Sequence, residues 1–209
     1  MLSRRTFSSA LVLPAIATGM TATHAATVGQ AAPDFSTTDT AGKSHKLSDF
    51  KGKHVVLEWT NPGCPFVVKH YSKEGGGNMQ ALQKEFTTKG VVWLSINSTS
   101  KEAADYLAPA KLMAWKAEKN GSASAVLMDE SGSIGRLYSA KTTPHMYIVN
   151  PQGVLVYAGA IDSVPSARID DIKTATNFVR QGLNEALSGK AISMPSTRAY
   201  GCSVKYKDA

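Results

Sequence analysis

Cysteine is scarce in this chain, with only Cys64 and Cys202 among 209 residues. Two distant thiols cannot make the disulfide framework of a small secreted scaffold, and a chain this long can bury a core without one. A local Cys-x-x-Cys shuttle is also excluded, because Val67 stands three places after Cys64. No apolar run approaches the roughly 20 residues that a membrane-spanning helix needs. Charge of neither sign is concentrated. The 23 lysines and arginines against 16 acidic residues give a formal +7, and the lysines are scattered. Without a basic run interleaved with aromatics there is no nucleic-acid groove, so the cations read as a solvated surface. Gly75-Gly76-Gly77 has no strand before it and no flanking Lys-Ser/Thr, so it reads as a break between two helical pieces rather than a phosphate loop. No internal repeat or low-complexity linker divides the chain, and one domain is the default.

What is present begins with an export signature. Ser3-Arg4-Arg5-Thr6-Phe7 precedes a weakly apolar run over 10–20 and the small-residue stretch Thr21-Ala22-Thr23-His24-Ala25-Ala26. This order reads as a signal peptide over 1–25, and its paired arginines resemble the twin-arginine type, which exports folded proteins. Without Arg4 and Arg5 the remaining chain carries 21 basic against 16 acidic residues, about +5. An exported protein meets an oxidising compartment, where its two cysteines either pair or react. The expected location is periplasmic or otherwise exported, with no membrane span after the signal.

The domain over 26–209 alternates strand and helix signals. A polar segment with a turn at Asp39-Thr40-Ala41-Gly42 reads as a hairpin. The nearly continuous apolar run over 54–60 reads as a central strand covered on both faces. Asn78 is placed to cap a helix with Met79, Leu82 and Phe86 on one face, ended by Gly90, and residues 91–97 form a second buried strand. Thr99-Ser100-Lys101-Glu102 has capping-box spacing and predicts a helix to about Lys119, bent at Pro109. A short strand follows over 125–129. Strands over 146–149 and 154–158 flank the turn Asn150-Pro151-Gln152-Gly153 and predict an antiparallel hairpin. A last helix is predicted over 167–187, from the stripe Ile169, Ile172, Thr176, Val179, Leu183 and Leu187. The class is α/β, with a central mixed sheet flanked by helices and an N-terminal β-hairpin extension.

Trp59-Thr60-Asn61-Pro62-Gly63-Cys64-Pro65 places a cysteine after a buried strand and at the expected start of a helix. Free N–H groups and the positive end of the helix dipole favour thiolate there, and the thiolate is the nucleophile in disulfide exchange and peroxide reduction. Cys64 is therefore the candidate nucleophile, with Trp59, Thr60, Asn61 and Pro65 supporting it. His70 and His145 invite a metal reading, but only one cysteine accompanies them, so no metal ligand and no cofactor is assigned.

Residues 28–35, the junction leading to Cys64, and Thr143-Pro144 together resemble the alkyl hydroperoxide reductase and thiol-specific antioxidant group of thioredoxin-like proteins. The likeness extends to peroxiredoxin-like redoxin domains through Cys64-Pro65-Phe66-Val67-Val68-Lys69-His70-Tyr71 and through Gly201-Cys202-Ser203-Val204-Lys205-Tyr206. It implies a thioredoxin-like fold and an oxidoreductase in which Cys64 attacks a disulfide or a hydroperoxide and Cys202 resolves the intermediate. It also implies that Thr143-Pro144 carries a cis bond facing Cys64. Partners would be a thiol reductant, a client protein or a small hydroperoxide. The chain departs from strict peroxiredoxins, which place a threonine where Asn61 stands, and it offers no assignable peroxide-orienting arginine. A non-enzymatic exported module, either a copper carrier or a protein with a purely structural disulfide, is the alternative class.

Overall fold

The computed structural model describes residues 25–207, so the expected signal peptide lies outside the described residues apart from Ala25. Strand β1 (Ser36–Thr38) pairs antiparallel with β2 (Ser44–Lys46). The Asp39 carboxylate sets their turn by accepting the N–H groups of Ala41 and Lys43 at 2.8 and 2.9 Å. A 3₁₀ turn (Leu47–Phe50) leads to β3 (Val55–Trp59), α1 (Pro65–Tyr71), α2 (Asn78–Thr87) and β4 (Val92–Asn97). Then come α3 (Pro109–Glu118), β5 (Ala125–Met128), α4 (Ser133–Leu137), β6 (Thr142–Thr143), β7 (His145–Val149) and β8 (Leu155–Gly159). A second 3₁₀ turn (Ile169–Lys173), α5 (Phe178–Leu187) and β9 (Cys202–Ser203) complete the order.

Five strands form one mixed sheet in the order β5-β4-β3-β7-β8, with β3, β4 and β5 parallel and β7 and β8 antiparallel additions. This is a thioredoxin-type arrangement. Period-two alternation sorts the buried side chains onto the two faces of the sheet. Val55, Leu57, Trp59, Leu94 and Ile96 pack on one face with Phe35, Tyr138 and Tyr147. Val56 and Trp93 pack on the other, with Cys64, Val67, Tyr71, Phe86, Val179 and Leu183.

Glu58 breaks this apolar pattern at the centre of β3. It is fully buried, and its carboxyl accepts hydrogen bonds from Tyr71 Oη (2.7 Å), Gln83 Nε2 (3.0 Å), Trp93 Nε1 (2.7 Å) and Ser95 Oγ (3.0 Å). Burial raises its pKa above the ordinary carboxylate value, and the four donors only partly oppose that. The carboxyl ties α1 and α2 to β3 and β4.

Three expectations about local structure require correction. Asn78 does not cap α2. Gly77 occupies the cap position at φ 60°, and Asn78 bonds Nδ1 of His70 at 2.8 Å instead. The helix expected from Thr99 begins only at Pro109, because proline lacks an N–H and fits the first helical position better than an interior one. Ser100 instead accepts the Glu102 N–H at 3.3 Å, while its own N–H donates to Lys205 O at 2.8 Å. The last helix is interrupted: Ile169 and Ile172 lie in a separate turn packed beside Gly75, and Asn177 caps α5 by accepting Arg180 N at 2.8 Å. Helix α4 and strands β6 and β9 carried no periodic signal, being five, two and two residues long.

Replacing Glu58 with leucine keeps the volume but orphans several buried donors, each costing about 1–3 kcal/mol. The variant is expected to lose more than about 3 kcal/mol in urea unfolding. A midpoint within error of wild type would show that the carboxyl is dispensable to the core.

Candidate functional site

Three chain segments converge on one sulfur. The first leaves β3 at Trp59 and turns through residues 60–64. Asn61 holds this turn. Its Oδ1 accepts the Gly63 N–H at 2.8 Å, its carbonyl accepts the Cys64 N–H at 3.0 Å, and its Nδ2 donates to Asp105 Oδ2 at 2.7 Å and to Thr99 Oγ1 at 3.3 Å. Cys64 is the cap residue of α1 and Pro65 its first helical residue, where the missing N–H costs nothing. Thr60 is buried, and its backbone N–H and carbonyl bind Ile96 O and Asn97 Nδ2.

The second segment is Thr143-Pro144, which is cis. The Thr143 carbonyl oxygen lies 3.1 Å from Cys64 Sγ. The third is the C-terminal tail. Strand β9 pairs antiparallel with β6, setting Cys202 opposite Thr143, and brings Cys202 Sγ to 2.7 Å from Cys64 Sγ as a free thiol. Closing that gap to the about 2.05 Å of a disulfide needs only a small movement. Gly201 makes this approach possible. Its φ is 138°, and a Cβ there would overlap the Thr143 carbonyl.

The tail is tethered along its length. Thr197 Oγ1 accepts the Ala160 N–H at 2.9 Å, Tyr200 Oη donates to Asp162, Val204 N donates to Lys141 O at 3.0 Å, and Tyr206 Oη donates to Ala140 O at 2.7 Å. Asp162 also takes Lys69 Nζ at 3.4 Å, with both side chains buried. His70 belongs to this buried group, and burial holds its pKa down to about 4, so it is neutral near pH 7. His145 sits in a separate network with Tyr147 Oη and the Lys141 N–H.

The two thiols are driven apart electrostatically. Burial raises Cys64, but its surroundings, the Cys202 thiol at 2.7 Å foremost with Thr143 and Val67 beside it, outweigh that and hold Cys64 below the ordinary thiol value. Cys202 is pushed up to about 11 by burial, by its bond to Cys64 and by the charges of Cys64 and Asp105. The first proton to leave the pair therefore leaves from Cys64.

Among the residues singled out from sequence, Cys64, Cys202, Asn61, Pro65, Thr143 and Pro144 converge, and Thr60 forms the strand end beneath them. Trp59 lies on the opposite face of the sheet, donating to Ser98 Oγ at 3.0 Å and packing on Tyr138 and Tyr147, so it braces β3 rather than touching the sulfur. Asp105, Asp162, Lys69 and Tyr200 were not singled out for the site, because their partners are remote in sequence. Gly201 was legible only as a neighbour of Cys202.

Gly201→Ala should force the tail away from Thr143 and separate the sulfurs. Formation of the Cys64–Cys202 linkage after addition of oxidant is expected to slow at least about tenfold, since misplacement by 1 Å can cost a hundredfold. Rapid-quench peptide mapping checks this, and an unchanged rate would show that the close approach at Gly201 does not place Cys202.

Comparison with known proteins agrees with this fold. The AhpC/TSA family model matches residues 28–158. The thioredoxin-like protein YneN of Bacillus subtilis is 32% identical over 127 residues, covering 61% of this chain and 68% of its own. The thiol-disulfide oxidoreductase ResA of Geobacillus kaustophilus is 27% identical over 130 residues, covering 62% and 67%. Among solved structures, an uncharacterized conserved protein of Geobacillus kaustophilus aligns with a TM-score of 0.73 at 25% identity, over 88% of this chain and 94% of its own. A hypothetical protein of Sinorhizobium meliloti aligns at 0.76 and 23%, over 89% and 98%. The chain has the thioredoxin-like fold and the general character of a thiol oxidoreductase, and it belongs to the AhpC/TSA family.

Proposed function

We propose that this protein is an exported oxidoreductase that cycles between a Cys64/Cys202 dithiol and a Cys64–Cys202 disulfide. The observation that carries this reading is the pair of sulfurs 2.7 Å apart, one held toward thiolate and the other toward thiol. Cys64 thiolate attacks a disulfide R–S–S–R′, forming Cys64–S–S–R and releasing R′–S⁻. Cys202 then loses its proton and attacks Cys64 Sγ, releasing R–S⁻ and closing the internal disulfide. With a hydroperoxide, Cys64 thiolate takes the terminal oxygen to become a sulfenic acid and the alcohol leaves. Cys202 then condenses with the sulfenic acid and releases water.

Cys64 is only 2% exposed, which favours a low-mass electrophile over a folded protein for the first step. Disulfide chemistry has the stronger support from the relatives' names, because ResA is a thiol-disulfide oxidoreductase. Peroxide chemistry has less from the site. Among the described arginines, Arg136 stacks on Tyr206, Arg168 pairs with Asp171 and Arg180 pairs with Glu85, while Arg198 is exposed on the tail. Export rests on the paired arginines and small-residue stretch of the N-terminus. Among the described residues no helix is long and apolar enough to cross a membrane.

Closing a link across 138 positions would also restrict the unfolded chain, worth about 5 kcal/mol on the chain-entropy model. Treating the reduced protein with one equivalent of hydrogen peroxide or oxidised glutathione should consume both thiols and yield the linked 64/202 peptide. Cys64→Ser should be inert, and Cys202→Ser should accumulate a sulfenic acid or mixed disulfide on Cys64. If wild type turns over neither oxidant above the Cys64→Ser background when dithiothreitol is supplied, the protein is a carrier or has a merely structural pair.

The pH dependence follows from the direction of the shifts. Alkylation requires thiolate, so its rate at Cys64 should rise through an inflection below the ordinary thiol value and flatten above it. Cys202→Ala removes a donor to that thiolate, and the inflection should move to higher pH. Iodoacetamide rates measured from pH 5 to 10 decide this, and an inflection that stays in place in the variant would remove Cys202 as the stabilising donor.

A further inference from the structure

We propose that Asp162 is a positioning residue for the closing step, acting through the Tyr200 hydroxyl to hold Cys202 against Cys64. This rests on the dithiol–disulfide cycle proposed above and names the group that sets how fast its disulfide closes. In that step Cys202 gives up its proton to water and attacks Cys64 Sγ, and R–S⁻ leaves from the mixed disulfide. The rate depends on keeping the two sulfurs within reach, because misplacement by about 1 Å can cost roughly a hundredfold.

Asp162 can serve as a fixed point because it belongs to the body of the fold. Its neighbours are pinned to the chain around the start of α5, where Phe178 N donates to Ile161 O and Ser163 N to Thr176 O, each at 3.0 Å. The carboxylate is buried and surrounded by donors. Oδ2 faces Lys69 Nζ at 3.4 Å and His70 Nε2 at 3.7 Å, while Oδ1 accepts the Val164 N–H at 3.0 Å. Both oxygens are thus held independently of the tail.

Oδ1 also accepts from Tyr200 Oη, on the tail and separated from Cys202 only by Gly201. Burial and the adjacent carboxylate push the Tyr200 pKa well above the ordinary phenol value, so the hydroxyl keeps its proton and remains a donor. The ring is clamped by α1, the helix that starts at Cys64. Phe66 meets it near edge-on with centroids 5.9 Å apart, and Lys69 Nζ lies 5.8 Å from its centroid. Tyr200 is therefore fixed on the α1 side and Cys202 on the Thr143 side. Losing the hydroxyl bond frees the tail next to the close approach at Gly201, where the β6/β9 pairing is only two residues long on each strand.

Tyr200→Phe deletes the hydroxyl and keeps the ring. The reduced variant and wild type are mixed with oxidised glutathione, quenched with acid at successive times, alkylated and mapped. Formation of the Cys64–glutathione mixed disulfide and its conversion into the linked 64/202 peptide are thereby timed separately. Conversion should slow at least about fivefold in Tyr200→Phe, while formation, corrected for the thiolate fraction of Cys64, should not fall. The inflection of Cys64 alkylation should move to higher pH, toward that of Cys202→Ala, because the displaced Cys202 thiol no longer supports the thiolate. Loss of stability alone would leave that inflection in place. Asp162→Asn should slow conversion too, and the double variant no further than the slower single one, as expected of residues acting through one bond. Conversion at the wild-type rate in either single variant, an unmoved inflection, or additive effects in the double variant would overturn this inference and leave the cycle standing. If wild type itself yields no linked peptide, the cycle fails and this inference with it.

Discussion

The two-residue pairing between Thr142–Thr143 and Cys202–Ser203 is the constraint on which the site depends. It is too short to be stable alone, since even an isolated hairpin is marginal in water. What holds it is the tethering on either side. Upstream, Ser196 and Thr197 lie along β8, where Gly159 leaves room that a Cβ would take from Thr197. Downstream, Tyr206 covers Gly135 and Gly132 of the α4 region, where a Cβ would again overlap the ring. Cys202 sits between these two anchors; Gly159, Gly135 and Gly132 clear the space, and the bonds are made by the tail's own threonine and tyrosines.

The buried Asp162–Lys69 pair gives this anchoring an electrostatic element. Two charges withdrawn from water gain little net stability from each other, but removing one partner leaves the other uncompensated. His70, neutral near pH 7, cannot replace Lys69 as the cation. Asp162 therefore accepts from Lys69 on α1 and from Tyr200 on the tail, joining the helix that starts at Cys64 to the strand that carries Cys202. The same carboxylate thus connects the supports of both sulfurs.

The fold was legible wherever burial imposes a period. The run at 54–60 and the apolar stretch at 91–97 became adjacent parallel strands, and the turn at residues 150–153 joined an antiparallel pair. Misreadings occurred where a local signal was spent on a remote partner. Asn78 serves His70 rather than its own helix, and the backbone of Ser100 serves the tail. Cys64 could be read as a nucleophile because strand, turn and proline are contiguous in sequence. Asp105 could not, because its relation to Gly63 and Asn61 exists only after folding. Glu58 was hidden for the opposite reason: one acidic residue inside an apolar run reads as an exception until its four donors are seen together.

The family match ends at residue 158, before the tail begins. Cys64 and Thr143-Pro144 therefore lie inside the shared region and Cys202 lies outside it. A second thiol three residues after Cys64 would need only one helical turn to meet the first, but that place is Val67, which is buried in the core. A thiol delivered by the tail meets Cys64 only after the sheet, the cis loop and the tail anchors have formed. The dithiol is thus a property of the complete fold, and the partly exposed member of the pair is the one borne by the segment that lies outside the shared core.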